Sequence, residues 1–321
     1  MTKKIITHFC SPEVQNKIFE LYNSLAPNRF PFDFELIQSI RLTELTDSDC
    51  LFFVTTDDSS IDDVRNLLNR KTPKKRQIVI VSSDKNNYFD LAFEYGISNI
   101  ISIKNLREPI FSGILRSVFQ NTDQQNSRLG GYILDPFFPR ALTLDKHHTL
   151  SGKVEPNSLI KKAFSDSIEQ LNQSVRYTFM INCHELISNA LAYGVRGITP
   201  HDRDVNIAQL GSEVEIPAGK EIQVRIIADS DNYGISVKDF GGTLTKNRIL
   251  DKIRRQSVGI GETVQLGLED FTGRGLIILS KHGLLLFSLK PKISTEVALI
   301  CSAREIPKIA NFSILTIEDK W

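Results

Sequence analysis

Short apolar runs alternate with helical patterns over the first 120 residues of the chain. Continuous apolar runs at residues 50–54 and 77–82 are typical of strands that are buried on both faces of a parallel sheet. Further strands are predicted at residues 4–9, 34–40 and 97–103, and helices at residues 14–25, 61–68, 88–95 and 110–119. This alternation predicts an α/β unit with a five-stranded, doubly wound parallel sheet.

The second half of the chain combines longer helical patterns with an antiparallel hairpin. Apolar strands at residues 221–228 and 233–238 flank a segment rich in turn formers, Asp229-Ser-Asp-Asn232, which predicts a β-hairpin. Other elements are predicted at residues 140–150 (strand or hairpin), 156–171 and 175–193 (helices) and 294–301 (strand). We therefore expect a second α/β unit.

A polar segment separates the two patterns. Residues 121–131 read NTDQQNSRLGG, a composition that is typical of a linker. The length of 321 residues also fits two domains of roughly 150 residues each. We expect one domain over residues 1–122, a linker over residues 123–139 and a second domain over residues 140–321.

Composition and charge limit the classes of binding partner and the cellular compartment that we expect. The chain has 39 Lys and Arg against 38 Asp and Glu, so its net charge of +1 predicts no general attraction to nucleic acid or to anionic lipid. No apolar run approaches the roughly 18 residues of a membrane span, and the amino terminus does not resemble a signal peptide. Four widely spaced cysteines are typical of reduced thiols. We expect a cytoplasmic protein without nucleic-acid or membrane partners.

Two polar side chains share one face of the predicted helix over residues 175–193. Glu185 and Asn189 are four residues apart, so they lie one turn apart on the same side. A carboxylate and an amide in this arrangement can hold a cation and orient a water or a hydroxyl. Taken alone, the pair is better explained as the polar face of an amphipathic helix.

Three further motifs follow in the chain. Asp239 ends a predicted strand, and Gly241 and Gly242 after it let the backbone approach a flat ligand. The carboxylate can accept a hydrogen bond from an amino group of that ligand. Gly273-Arg-Gly-Leu276 is a glycine-rich turn that leads into a helix, whose free N–H groups favour phosphate. Thr295 lies at the start of the last predicted strand.

In this order the four motifs resemble the GHKL ATPase superfamily, which includes gyrase-type ATPases, histidine kinases and anti-sigma-factor serine kinases. Residues 184–194 resemble the N box, residues 239–242 the first glycine box and residues 273–276 the second. The resemblance extends from about residue 140 to residue 305. It implies an α/β sandwich of the GHKL type that binds ATP and Mg²⁺.

The resemblance also implies a role for each motif residue. Asn189 would bind Mg²⁺, and Glu185 would be the general base. Asp239 would accept a hydrogen bond from the adenine amino group, with support from Thr295. The backbone at Gly241 and Gly242 would lie close to the nucleotide. The phosphates would be wrapped by N–H groups of the second glycine box, namely Gly273, Arg274, Gly275 and Leu276.

Several positions depart from the family pattern or extend it. Thr243 stands where the first glycine box usually has a second spaced glycine, and Tyr193 stands where the family often has histidine. Residues 244–272 would be the mobile ATP lid. The insertion at residues 195–220 is a partner surface or, on the other interpretation, a decorated connection.

The first 120 residues are similar to the receiver domains of two-component response regulators. The similarity rests on the order of the elements, on Ser82 at the end of the fourth strand and on residues 96–104 near the fifth. The acidic pair that would hold Mg²⁺ is replaced by residues 8–11, His-Phe-Cys-Ser, and Thr55 stands where the phosphorylated aspartate is expected. We therefore expect a pseudo-receiver that binds a partner or forms a homodimer.

Together these resemblances imply a bacterial-type signalling protein. Stand-alone anti-sigma-factor-type kinases bind one regulatory protein and phosphorylate a serine or threonine of another, and their ATP state determines which partner they hold. The alternative is a non-catalytic module whose nucleotide state controls partner binding. Glu185 distinguishes the two interpretations because transfer requires it and nucleotide binding does not.

Overall fold

The computed structural model of the protein describes residues 2–8, 10–25, 33–38, 49–55, 58–69, 77–82, 88–120, 132–138, 141–155, 164–171, 173–197, 213–258, 275–302 and 311–316. These residues form a mixed α/β protein in which helices cover both faces of a large sheet. None of the helices in this part of the chain is long and apolar enough to cross a membrane.

The apolar runs of the first half form parallel strands where the pattern predicts them. These strands are β1 (Lys3–Thr7), β2 (Phe34–Ile37), β3 (Cys50–Thr55), β4 (Gln77–Ser82) and β5 (Asn99–Ser102). They pair in the order β2-β1-β3-β4-β5, and each pair is parallel. Helices follow between and after them: α1 (Pro12–Ser24), α2 (Asp58–Asn69), α3 (Phe89–Tyr95) and α4 (Glu108–Gln120). The predicted parallel pairing is confirmed.

The second half contributes antiparallel strands. These are β6 (Leu144–Leu150), β7 (Gly152–Val154), β8 (Val214–Ile216), β9 (Ile222–Ala228), β10 (Asn232–Asp239), β11 (Leu284–Lys290) and β12 (Ser294–Ser302). The helices are α5 (Ser165–Gln170), α6 (Gln173–Asn189), which continues as a π-helix (Ala190–Val195), α7 (Lys246–Val258) and α8 (Gly275–His282). The predicted hairpin is confirmed, because β9 and β10 pair antiparallel.

A strand that the sequence pattern did not predict joins the two halves. β13 (Asn311–Thr316) pairs in parallel with β11 and antiparallel with β5. Eleven of the described strands therefore form one sheet, in the order β2-β1-β3-β4-β5-β13-β11-β12-β10-β9-β6. β7 and β8 form a separate pair.

The two faces of this sheet are covered by different helices. Apolar side chains of α2, α3, α6, α7 and α8 belong to one continuous core, whereas α1, α4 and the 3-10 turn Asp135–Phe137 cover the opposite face. Phe137 packs closely on α4, where a Cβ added at Gly113 would lie 2.3 Å from its ring. On the first face, α3 packs against α7, so the two halves share a core as well as a sheet.

Candidate functional site

Helix α6 and its π-helical continuation carry the predicted N box. Buried Phe179, Cys183, Leu186 and Ile187 hold the helix against the sheet, and Glu185 and Asn189 remain half-buried on another side. At the end of the helix, Arg196 N–H donates to the Leu191 carbonyl, five residues back. A π-helix of this kind widens the last turn and is often found at functional sites.

Glu185 and Asn189 meet the amino terminus of α8. A Cβ added at Gly275 would lie 2.3 Å from Glu185 Oε2 and 3.8 Å from Asn189 Nδ2. Asn189 Nδ2 is buried and has no hydrogen-bond partner among the described residues. Glycine at position 275 therefore admits the Glu185 carboxylate, with Asn189 beside it, to the start of a helix whose first N–H groups, including that of Leu276, favour an anion.

Helix α8 is fastened to α6 at its other end as well. The His282 imidazole and the Asn182 side-chain oxygen lie 2.7 Å apart, and Asn182 Nδ2 contacts Cys301 Sγ of β12 at 3.6 Å. Burial lowers the pKa of His282, so its ring is neutral near pH 7. These contacts fix the position of Gly275 relative to Glu185.

Asp239 lies at the carboxyl end of β10 and touches the end of the π-helix. A Cβ added at Gly194 would lie 2.4 Å from Asp239 Cγ, and one added at Gly241 would lie 2.7 Å from the Gly194 carbonyl oxygen. The Gly241 N–H donates to Asp239 Oδ1 at 2.8 Å. Burial raises the pKa of Asp239 to about 6, although N–H groups of Gly241 and Gly242 act in the opposite direction. The carboxylate is therefore buried but able to accept a further hydrogen bond.

The backbone around Asp239 is closely packed on its other sides. Gly242 has φ +58°, and its carbonyl accepts a hydrogen bond from the Lys292 N–H at 3.0 Å. A Cβ at Gly242 would lie 2.4 Å from the Ile293 nitrogen. Buried Thr295 lies directly opposite Asp239 in the β10–β12 pair, so the two side chains are neighbours on one face of the sheet.

The two positions that depart from the family pattern contact each other. The Thr243 hydroxyl donates to the Tyr193 carbonyl at 3.4 Å. Lys252 of α7 lies over the Tyr193 ring, with its Nζ 5.2 Å from the ring centroid. These contacts tie the segment after Gly242 and helix α7 to the π-helix that holds Gly194.

The described site residues thus form two clusters, one at each end of the helical segment from Glu185 to Gly194. Glu185, Asn189 and Gly275 form one cluster, and Asp239, Gly241 and Thr295 lie at the other end, beside Gly194. Gly194 is nine positions after Glu185, which corresponds to roughly 13 Å along a helix. The sequence motif included Gly194 but did not indicate its contact with Asp239.

Part of the predicted site lies outside the described residues. Gly273 and Arg274 of the second glycine box are in this category, as are residues 259–272 of the predicted lid. The described part of the lid contains α7, whose Ile249, Leu250 and Ile253 are buried. The insertion at residues 195–220 is described only at its two ends, and the second of these contains β8.

Metal binding at this site would rely on few protein ligands. Within the described ranges, no three His, Cys, Asp or Glu side chains lie close enough together to hold a metal ion. Asn189 and Glu185 can supply oxygen ligands, and a nucleotide phosphate would supply the others, as is usual for Mg²⁺. The donor set therefore fits Mg²⁺ that arrives with a nucleotide.

A separate cleft of about 340 Å³ lies at the opposite end of β10. Asp229, Asn232, Tyr233 and Val175 contribute to its lining. Asn232 is seven residues from Asp239 along the strand, or about 24 Å at 3.4 Å per residue. The residues that line this cleft include none of the predicted site residues.

We expect Gly194→Ala to destabilise the protein by about 2 kcal/mol, because overpacking a closely packed position costs roughly 1–3 kcal/mol. The new methyl group would lie within 2.6 Å of Asp239 Oδ1, and neither the strand nor the helix can easily move. Urea unfolding measures the change. Gly197→Ala is the control, because its methyl group would meet no atom within 4 Å and would introduce only the strain of a left-handed backbone. An equal effect of the two substitutions would contradict the packing at Asp239.

The sequence itself was compared with known proteins. No protein-family model matches the chain, and no curated protein sequence is significantly similar to it.

Proposed function

We propose that residues 140–321 form a GHKL-type ATP-binding unit and that the protein binds Mg-ATP. The observation that supports this most directly is the presence of two clusters along the helical segment from Glu185 to Gly194. At one end, the buried Asp239 carboxylate lies beside Gly194 and Gly241. At the other end, Glu185 and Asn189 lie beside Gly275. The spacing of the two clusters is comparable to the length of an extended nucleotide.

Each cluster suits one part of the nucleotide. Asp239 accepts a hydrogen bond from the adenine amino group. The close approach to Gly241 and Gly242 is made by the protein's own backbone, at Gly194 and at residues 292–293, and this packing holds the turn that presents the carboxylate. At the other end, Asn189 binds Mg²⁺ through its side-chain oxygen, and the first N–H groups of α8 donate to phosphate oxygens. Bound Mg²⁺ would neutralise phosphate charge. The buried, unpartnered Nδ2 of Asn189 is a hydrogen-bond donor that suits a phosphate oxygen beside it.

We further propose that the protein is a cytoplasmic serine/threonine protein kinase of the anti-sigma-factor type. Glu185 is the only carboxylate among the predicted site residues at the phosphate end, and it lies at the amino terminus of α8. It accepts the proton of the attacking hydroxyl of a partner protein as that oxygen bonds to the terminal phosphorus and ADP leaves. The receiver-like half, which lacks the acidic pair, contributes partner binding or homodimer formation.

Titration of the full chain with ATP by isothermal calorimetry tests nucleotide binding. We expect saturable binding with Mg²⁺ and much weaker binding with excess chelator. We also expect GTP to bind far more weakly, because its O6 carbonyl offers no hydrogen to Asp239 and a buried acceptor would be left unpaired. The absence of Mg-ATP binding would refute the proposal. Equal affinity for ATP and GTP would refute the role of Asp239.

A further inference from the structure

Ser98 connects three elements at the junction of the two halves. It lies in the turn between α3 and β5, and its carbonyl accepts a hydrogen bond from the Ile314 N–H of β13 at 2.9 Å. Its hydroxyl accepts a hydrogen bond from Lys246 Nζ at 2.6 Å. Lys246 is the first residue of α7. One serine therefore anchors the start of α7 to the amino-terminal half.

Helix α7 in turn contacts the backbone on which the proposed adenine site is built. The Arg248 guanidinium donates to the Thr243 carbonyl at 3.3 Å, immediately after the glycine pair. Lys252, one turn later, contacts the Tyr193 ring and hydroxyl, next to Gly194. Since Gly194 and Gly241 bracket Asp239, a displacement of α7 would move both walls around this carboxylate.

The amino-terminal half restrains α7 by packing as well as by hydrogen bonding. Helix α3 lies against α7, and both contribute to one core through Phe89, Leu91, Ala92, Ile249, Leu250 and Ile253. Helix α7 also packs against α8, whose first residue meets Glu185. Helix α7 therefore lies between the amino-terminal half and both ends of the proposed site.

We propose that Ser98 and Lys246 are positioning residues for the nucleotide, so that the amino-terminal half forms an outer wall of the ATP site. This inference rests on the proposed function. Loss of the Lys246–Ser98 hydrogen bond removes one of the restraints on the first turn of α7, next to Thr243 and Tyr193. Any event that moves α3 in the amino-terminal half then changes nucleotide affinity through α7.

The test compares Ser98→Ala and Lys246→Met with a variant that removes hydrogen bonds across the same junction but far from the proposed site. Arg107 of the amino-terminal half donates to Asn232 at 3.1 Å and to Ser302 at 3.4 Å, both at the opposite end of the sheet. Arg107→Met is therefore the matched control for a general weakening of the junction. Lys246→Arg, which keeps a donor of similar length, is the rescue variant. Affinity for Mg-ATP and the thermal midpoint are measured for each full-length variant.

We expect Ser98→Ala and Lys246→Met each to weaken Mg-ATP binding about 3- to 10-fold, the range for one ordinary hydrogen bond, because the lost bond acts on the nucleotide only through α7. The double variant should be no weaker than either single one, because both remove the same interaction. Amide hydrogen exchange over residues 246–258 should become faster in both. Arg107→Met should lower the thermal midpoint without changing affinity, and Lys246→Arg should bind like the wild type.

Unchanged affinity in Ser98→Ala and Lys246→Met, with a wild type that binds Mg-ATP, would overturn this inference and leave the proposed function in place. A loss of affinity in Arg107→Met as large as in Lys246→Met would also overturn it, because the effect would then follow general stability. A wild type that does not bind Mg-ATP would overturn both proposals.

Discussion

Asp239→Asn should weaken Mg-ATP binding at least tenfold and, at the same time, stabilise the folded protein above pH 6. Both effects come from one buried carboxylate. In the proposed site the carboxylate accepts a hydrogen bond from the adenine amino group, and the amide that replaces it is a weaker, neutral acceptor that can also present its NH₂ group to the base. In the protein without nucleotide, the same carboxylate is a charge with little exposure to water.

The sign of the stability change follows from the pKa of Asp239. Burial raises this pKa from 3.8 to about 6, so the unfolded chain releases the proton at a lower pH than the folded protein. Below pH 3.8 the carboxyl group is neutral in both states and costs nothing. Above about pH 6 it is charged in both states, and the folded state is destabilised by about 2 to 3 kcal/mol, since one pKa unit corresponds to about 1.4 kcal/mol.

Denaturant unfolding at pH 4 and pH 8 measures this effect. Asparagine can still accept the Gly241 N–H through its side-chain oxygen, so the turn should be retained. The stabilisation by Asp239→Asn should be present at pH 8 and nearly absent at pH 4. The control is Asp229→Asn, a substitution of another buried aspartate at the other end of β10, which accepts N–H groups of Asp231 and Asn232. It should not change nucleotide affinity. A destabilised Asp239→Asn protein at pH 8 would contradict the burial argument.

The sequence predicted the local geometry of the site because that geometry depends on short spacings. A separation of four residues on a helix was sufficient to place Glu185 and Asn189 on one face, and the apolar run before Asp239 was sufficient to place it at a strand end. The position of Thr295 opposite Asp239 depends on strand register, which the order of the motifs suggested only through the resemblance.

The contacts that the sequence could not predict are those between distant segments. Residues 311–316 form a short and unremarkable apolar pattern, and their partners in β5 lie about 210 residues earlier. The run at residues 284–290 directly follows the apolar helix α8, and periodicity alone does not separate a buried strand from a continued helix. No local sequence pattern therefore indicated that β13 joins the two halves into one sheet, and none indicated the contact between Ser98 and Lys246.

Glu185→Gln should reduce phosphoryl transfer by about 100- to 10,000-fold, the range for loss of a general base, while Mg-ATP affinity changes less than about threefold. Glutamine has the size of glutamate and fits beside Gly275, but it cannot accept the proton of the attacking hydroxyl. Phosphate release from Mg-[γ-³²P]ATP, with water as the acceptor, measures transfer without a known partner protein.

Two further variants separate the roles in this helix. Asn189→Ala should lose Mg-dependent binding itself, because the side-chain oxygen that would bind the cation is removed, so its defect should appear in calorimetry before any turnover is measured. His184→Asn, at the adjacent and half-buried position, should leave transfer unchanged, since neighbouring residues on a helix do not share a face. A His184→Asn protein as inactive as Glu185→Gln would contradict the assignment of the base. Wild-type protein that binds Mg-ATP but releases no phosphate, with or without candidate partners, would favour the non-catalytic module, in which Glu185 contributes only to the shape of the site.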